Sequence, residues 1–192
     1  MGCFSICNPK HLRRSYMKKT KFIALGLVAV TFFCLLTSCS TIRYNAVMYS
    51  KSKNWIDESF LENNKVRGAF YKNPDYTENI YDDTVEKYYR DETSPRDRTF
   101  IIDNQDTYDT IFKANTLSVD FDKEVIYLYI FADMYSARKY FISNISLEDE
   151  QVNIYYKLEK ETTTDGSAPG QRCLIVVMKK TNTSSVKFIK QK

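Results

Sequence analysis

The side chains that could do chemistry in this chain are carboxylates and phenols, because its one histidine, His11, stands near the start. From residue 40 onward there is no imidazole, which removes Ser-His and Cys-His nucleophile pairs, histidine general bases and the common zinc sites from that part. Asp120, Asp122 and Glu124 alternate along a stretch read as extended, so three carboxylates on one side could begin a calcium or magnesium site. The glycine and closing glutamate of known calcium loops are missing, which favours a solvated strand edge with Phe121 turned inward. Asp82, Asp83, Glu86, Asp91 and Glu92 offer carboxylates for glycoside hydrolysis only if two converge, and no spacing fixes their separation. The phenols are numerous: of fifteen tyrosines only Tyr16 precedes residue 40, and Trp55 joins the rest. Exposed, such rings make platforms for sugars or peptides; buried, they fill a core short of Leu and Val. Tyr88-Tyr89-Arg90-Asp91 is the candidate partner surface. No catalytic residue, metal site or cofactor is assigned.

Another kind of chemistry lies further upstream. Met17–Cys39 begins with Lys18, Lys19 and Lys21, continues with an apolar run from Phe22 to Leu36, and ends in small residues and a cysteine. That is the layout of a secretory signal peptide. Leu36, Thr37, Ser38 and Cys39 resemble the lipobox of bacterial lipoproteins, and the resemblance implies a diacylglyceryl group on the Cys39 Sγ and cleavage after Ser38. At about 1.5 Å per residue, the apolar run reaches roughly 22 Å, short of a hydrocarbon core of about 30 Å. An uncleaved anchor helix is the competing reading. Ser40 is not the aspartate that resembles an inner-membrane retention signal, so the cell membrane and the outer membrane both stay open. Residues 1–16 precede a well-formed signal and read as a start-site overrun with Met17 as the true start, or else as a long basic leader. Ile6 stands where an N-myristoylation motif needs Ser or Thr.

Removing the signal changes the charge. The whole chain has 28 basic and 24 acidic side chains, and six of the basic and none of the acidic lie in residues 1–39. The remainder therefore holds 22 against 24 and loses the basic excess that a nucleic-acid partner would need. The 153 residues after Cys39 suit one domain with a real core. Cys173 is the only other cysteine there and reads as a buried small hydrophobe, so no disulfide framework is expected.

The elements that must position these groups follow from periodicity. Residues 40–52 read as a polar tether. Asn54 caps a short helix to about Glu62, Gly68–Tyr71 is extended, and Asn73–Asp97 has no period and reads as irregular structure packed by its aromatics. Thr99–Ile102 is a strand. Asp103 or Asn104 caps a helix to about Lys113 with Tyr108, Ile111 and Phe112 on its apolar face. Val125–Ala132 is apolar on both faces and is taken as the core strand. Tyr140–Leu147 and Val152–Leu158 form a hairpin about Glu148-Asp149-Glu150, Glu161–Gly170 is a polar loop, Cys173–Met178 a second apolar strand, and Val186–Ile189 a short last one.

Several of these segments together resemble a known family. Thr99-Phe100-Ile101-Ile102, the Tyr108…Ile111-Phe112 helix, Val119-Asp120-Phe121-Asp122-Lys123-Glu124 before the core strand, and Cys173–Lys180 are similar to the C-terminal domain of PrcB-like bacterial lipoproteins. The resemblance runs from about Arg98 to Lys190. Where many members carry Gly-Gly or Gly-Tyr after the core strand, this chain has Ala132-Asp133-Met134-Tyr135-Ser136-Ala137. The resemblance implies a non-enzymatic lipoprotein, in one branch a partner that stabilises a surface protease.

The fold expected is α+β and mainly β: a largely antiparallel sheet or sandwich with one or two covering helices, after an N-terminal signal helix. The organisation expected is overrun 1–16, signal 17–38, lipidated tether 39–53, an aromatic and acidic segment 54–97, and a β-rich domain 98–192. The function expected is a lipid-anchored extracytoplasmic binding or stabilising module with a membrane anchor, a protein partner and no nucleic acid. A small-ligand or glycan receptor using Tyr and Trp is the alternative.

Overall fold

A computed structural model describes residues 45–50, 52–78, 85–114, 116–134, 138–160 and 169–192. In chain order these form β1 (Ala46–Ser50), a 3₁₀ turn (Ser52–Trp55), α1 (Glu58–Asn63), β2 (Phe70–Lys72), β3 (Tyr88–Arg90) and β4 (Asp97–Ile102). Then come α2 (Gln105–Ile111), β5 (Glu124–Asp133), β6 (Lys139–Glu148), β7 (Gln151–Lys160), β8 (Gly170–Lys179) and β9 (Ser185–Lys190). The class is α+β and mainly β, as the alternating apolar patterns require.

Three sheets result: a four-stranded one in the order β1-β8-β5-β4, a three-stranded one in the order β6-β7-β9, and the β2-β3 ribbon. Pairing is antiparallel except between β7 and β9, which run parallel. The core strand β5 lies between β4 and β8, and its two apolar faces serve two cores. Ile126, Leu128 and Ile130 face the helices together with Ile56, Val66, Tyr108 and Ile111. Val125, Tyr127, Tyr129 and Phe131 face the three-stranded sheet and meet Val152, Ile154, Tyr156 and Phe188. The edges of the two sheets approach each other, β1 beside β6 and β4 beside β9. At the first of these seams the Tyr140 amide donates to Ser50 Oγ at 3.3 Å. The sandwich is thus a flattened, nearly closed barrel whose interior is the second core.

The β6–β7 hairpin turns on Asp149 and Glu150, both in the left-handed region with φ of 47° and 61°. Positive φ at both central positions suits the right-handed twist of the flanking strands. Glu150 bears the steric cost, and it is held from outside: its carbonyl accepts from the Ser184 amide at 2.9 Å and its carboxylate from Asn182 at 3.3 Å.

Several boundaries differ from the sequence reading. Residues 46–50, expected as tether, pair with β8 over Ala46↔Met178 to Ser50↔Leu174. The helix expected from Asn54 is split. Ile56 bridges Phe112, and the Lys113 amide donates to the Trp55 carbonyl at 2.8 Å, which holds this point extended. Asp57 rather than Asn54 then starts α1, its carboxylate accepting from the Ser59 and Phe60 amides at 2.8 and 3.2 Å. The same bridge stops α2 at Ile111, short of Lys113. Asn104 is its cap, with Oδ1 accepting from the Thr107 amide at 2.8 Å. Asn104→Ala is expected to cost about 1 kcal/mol in urea unfolding with an unchanged m-value. Within Asn73–Asp97, read as irregular, Tyr88–Arg90 is a strand paired with Phe70–Lys72.

Candidate functional site

The polar chemistry of the described residues gathers at one end of the barrel. Strand β5 runs on past Phe131, and its alternation places Asp133 on the interior face, level with the head of β8. Arg172 pairs with Phe131 across the ladder and shares that face. Both side chains are almost fully buried, with 4% and 6% of their surface exposed. A lone buried charge would cost several kcal/mol, so the surroundings must answer it. Arg138 Nη1 lies 3.0 Å from Asp133 Oδ1, and Arg172 Nη1 lies 3.7 Å from Oδ2. The Tyr140 hydroxyl donates to Oδ2 at 2.7 Å, and Arg172 Nη2 donates to the Arg138 carbonyl at 2.7 Å. Burial and then the bond to Asp133 push the Tyr140 phenol well above its ordinary range. Burial draws the Arg172 guanidinium down, and the Asp133 charge opposes it. For Arg138 burial also acts downward, but the hydrogen bond and charge of Asp133 prevail and hold it above its usual value.

Two cavities flank this cluster, one at each seam, and Tyr140 lines both. The β4/β9 pocket is about 290 Å³ and is walled by Tyr129, Phe131, Tyr140, Tyr156 and Phe188. Tyr129 is stacked between Phe131 and Phe188, with centroids 5.0 and 4.7 Å away and planes within 17° and 7°. Its hydroxyl donates to Asp97 at 3.3 Å, and burial pushes its phenol far above the ordinary value. Exposed Arg67, Arg96 and Lys190 stand at the mouth, with the Lys190 ammonium 5.4 Å from the Tyr140 ring centroid. The β1/β6 pocket is about 390 Å³ and is lined by Tyr49, Trp55, Ser50, Asn54, Lys139 and Glu159, with Tyr49 and Trp55 tilted at 56° and 5.0 Å apart.

The sequence-derived candidates fall elsewhere. In Tyr88-Tyr89-Arg90-Asp91, Tyr88 and Arg90 are exposed on one face of β3, and Arg90 is paired with Glu92 at 3.1 Å. Tyr89 turns the other way, packs on Tyr71 and accepts from Lys65 Nζ at 2.9 Å. Asp91 is not on that surface: it is buried and accepts from the Thr93 and Ser94 amides, both at 2.8 Å, which fixes the following turn. The Asp120-Asp122-Glu124 stretch is not one extended segment: Asp122 lies in a turn, and only Glu124 is in a strand, as the first residue of β5. The Asp120 carboxylate accepts from the Asp122 amide at 3.2 Å and pairs with Lys123 at 2.6 Å, while Glu124 accepts from the Asp120 amide at 3.1 Å. Local bonds of this kind outcompete strand pairing. Among the described residues no three His, Cys, Asp or Glu side chains are grouped to hold a metal ion.

Asp82 and Asp83 lie outside the described residues, as does the lipobox Leu36, Thr37, Ser38 and Cys39. Among the described residues no helix is long and apolar enough to cross a membrane. Cys173 is fully buried, and its thiol is pushed up to about 12 by that burial.

Sequence reasoning passed over Asp133 and Arg172. The available signal was a charged residue abutting each of two strands apolar on both faces, a place where a charge needs a partner. No family model, curated protein or solved structure matches the chain.

Proposed function

We propose that this chain is a lipid-anchored, extracytoplasmic binding module, held by Cys39 to the cell membrane or the outer membrane, and not an enzyme. The observation that carries the reading is the state of the barrel-end carboxylate. Both oxygens of Asp133 are taken by Arg138, Tyr140 and Arg172. The neighbouring phenols are displaced away from neutral pH, whereas general acid–base catalysis wants groups poised near it. What remains is recessed walls of rings with charged groups at the rim, an arrangement for holding a ligand.

The aromatic pockets favour a small-molecule ligand. The exposed Tyr88 and Arg90 on β3 support a protein partner as the second reading, in line with the PrcB-like resemblance. The anchor would be close: seven residue steps separate Cys39 from the start of β1 at Ala46, a reach of at most roughly 25 Å. Fatty chains contribute about 0.8 kcal/mol per buried methylene, so two or three of them retain the protein on the bilayer.

Metabolic labelling tests the anchor. The wild-type chain is expected to incorporate palmitate and sediment with membranes, and Cys39→Ala to do neither. Unlabelled, intact polypeptide in the cytosol would overturn the reading.

A further inference from the structure

At the β1/β6 pocket, polar groups with nothing to bind stand beside rings that are still partly open. Glu159 is placed there by an irregularity in the β6–β7 ladder. Lys139 pairs with Lys160 but Tyr140 pairs with Leu158, so Glu159 is one extra residue on β7 with no partner on β6. A bulge of this kind re-aims a side chain and is common beside binding sites. Glu159 and Lys139, both exposed, line the pocket from the sheet, and exposed Asn54 lines it from the 3₁₀ turn. Among the described residues none of these three head groups takes part in a hydrogen bond or an ion pair. Ser50 Oγ, on the same wall, accepts from the Tyr140 amide at 3.3 Å and has its own proton to give.

The apolar side is a corner of two rings. Tyr49 and Trp55 are half-buried, tilted at 56° to each other with centroids 5.0 Å apart, and among the described residues no third ring packs on either. The volume of about 390 Å³ falls within that of ligand sites, roughly 300–1,000 Å³. One cation and one carboxylate line it and balance, so the lining holds no excess to draw an ion. A carboxylate brings two acceptor oxygens, and a side-chain amide brings an acceptor beside two donors. Groups of that kind suit adjacent hydroxyls on a ring, and the apolar C–H face of such a ring suits tyrosine or tryptophan.

We propose that the β1/β6 pocket binds a neutral saccharide. A pyranose ring lies in the Tyr49–Trp55 corner, and its hydroxyls are met by Glu159, Asn54 and Lys139. This rests on the reading of the chain as a binding module and names the ligand class for it.

Trp55 is the chain's only tryptophan, so its emission reports on this pocket. Fluorescence titration and ligand-observed NMR test the proposal on the full chain, purified in a detergent without a sugar headgroup. The probes are methyl glucoside, methyl galactoside and N-acetylglucosamine, with cyclohexanol as a ring of like size carrying one hydroxyl. At least one sugar is expected to shift the Trp55 emission and to bind at least about tenfold more tightly than cyclohexanol. Because the ligand is uncharged, its affinity should change less than about twofold between low and high salt. Glu159→Ala should weaken the sugar about tenfold, since a hydrogen bond to a charged acceptor is lost, and Asn54→Ala should weaken it less. Both residues are exposed, so circular dichroism and thermal unfolding are expected to report an intact fold in each variant. Lys187→Glu, an exposed reversal on β9 that does not line the pocket, should leave binding unchanged. Failure of all three sugars to bind, equal binding of cyclohexanol, or indifference to Glu159→Ala would overturn the proposal. Palmitate incorporation is a separate readout, so a wrong ligand class and a wrong anchor are told apart.

Discussion

Asp133→Ala is expected to lower the unfolding free energy by about 3–5 kcal/mol, since removing one member of a buried ion pair leaves its partner's charge in a poorly solvated place. Arg172, with 6% of its side chain exposed, has little access to water to compensate, and Tyr140 loses the acceptor of a 2.7 Å hydrogen bond. For a domain of this size each kcal/mol is worth about 2–4 °C, so the midpoint should fall by on the order of 10 °C. A double change, Asp133→Leu with Arg172→Met, should be less damaging than the single one, because both charges leave together and the space stays filled. Arg138 is more exposed, at 16%, and can turn outward. Urea unfolding of the three proteins checks this. A single-variant loss below about 1 kcal/mol would mean that water reaches the cluster and that the barrel end is open.

Alkali should unfold the protein cooperatively above pH 10. Burial raises the phenols of Tyr129, Tyr140 and Tyr156 from an ordinary 10.0, and raises the Cys173 thiol from 9.0 to about 12. Below about pH 8 all four groups are protonated in both states and their contribution is fully present. As pH climbs past the ordinary values the unfolded chain releases protons that the folded chain keeps. Stability then falls by about 1.4 kcal/mol per pH unit for each group until the folded value is reached. Tyr129 and Tyr140, the two most strongly raised phenols, should therefore together remove roughly 3 kcal/mol per unit above pH 10, with Cys173 adding its own share from about pH 9. Urea midpoints from pH 8 to about 11.5 give the slope, and Tyr140→Phe should flatten it by one group's share. Phenolate absorbance near pH 10 that accounts for these three rings as well as the exposed ones, in a protein that stays folded, would contradict their burial.

How much of this was readable beforehand depends on the range of the interaction. The apolar runs at Val125–Ala132 and Cys173–Met178 announce central strands, and both lie at the centre of the four-stranded sheet. The turn at Asp149-Glu150 and the cap at Asn104 are local, and both are in place. What failed depends on distant pairing. Residues 46–50 carry too little pattern to reveal a strand that finds β8 more than a hundred positions away. The helix near Trp55 is displaced by a bridge to Phe112, a contact no local window contains. The site shows the same division. Tyr88 and Arg90 are exposed as a candidate surface needs, yet Asp91 is drawn inside by its own turn. Asp133 meets Arg172 only because β5 and β8 are in register, and register is not written in either strand alone.

The direction of β1 has a mechanical consequence. Strand β1 runs from Ala46 toward Ser50, at the end that carries both seam pockets, so the proposed lipid anchor, which precedes Ala46 in the chain, would pull on the strand's first residue. A force applied at that end would load β1 along its length. Its five residue pairs with β8 would then resist together in shear, and would not peel apart one after another from a free end. A strand of only five residues would in this way fasten the domain against a pull transmitted through its N-terminal end.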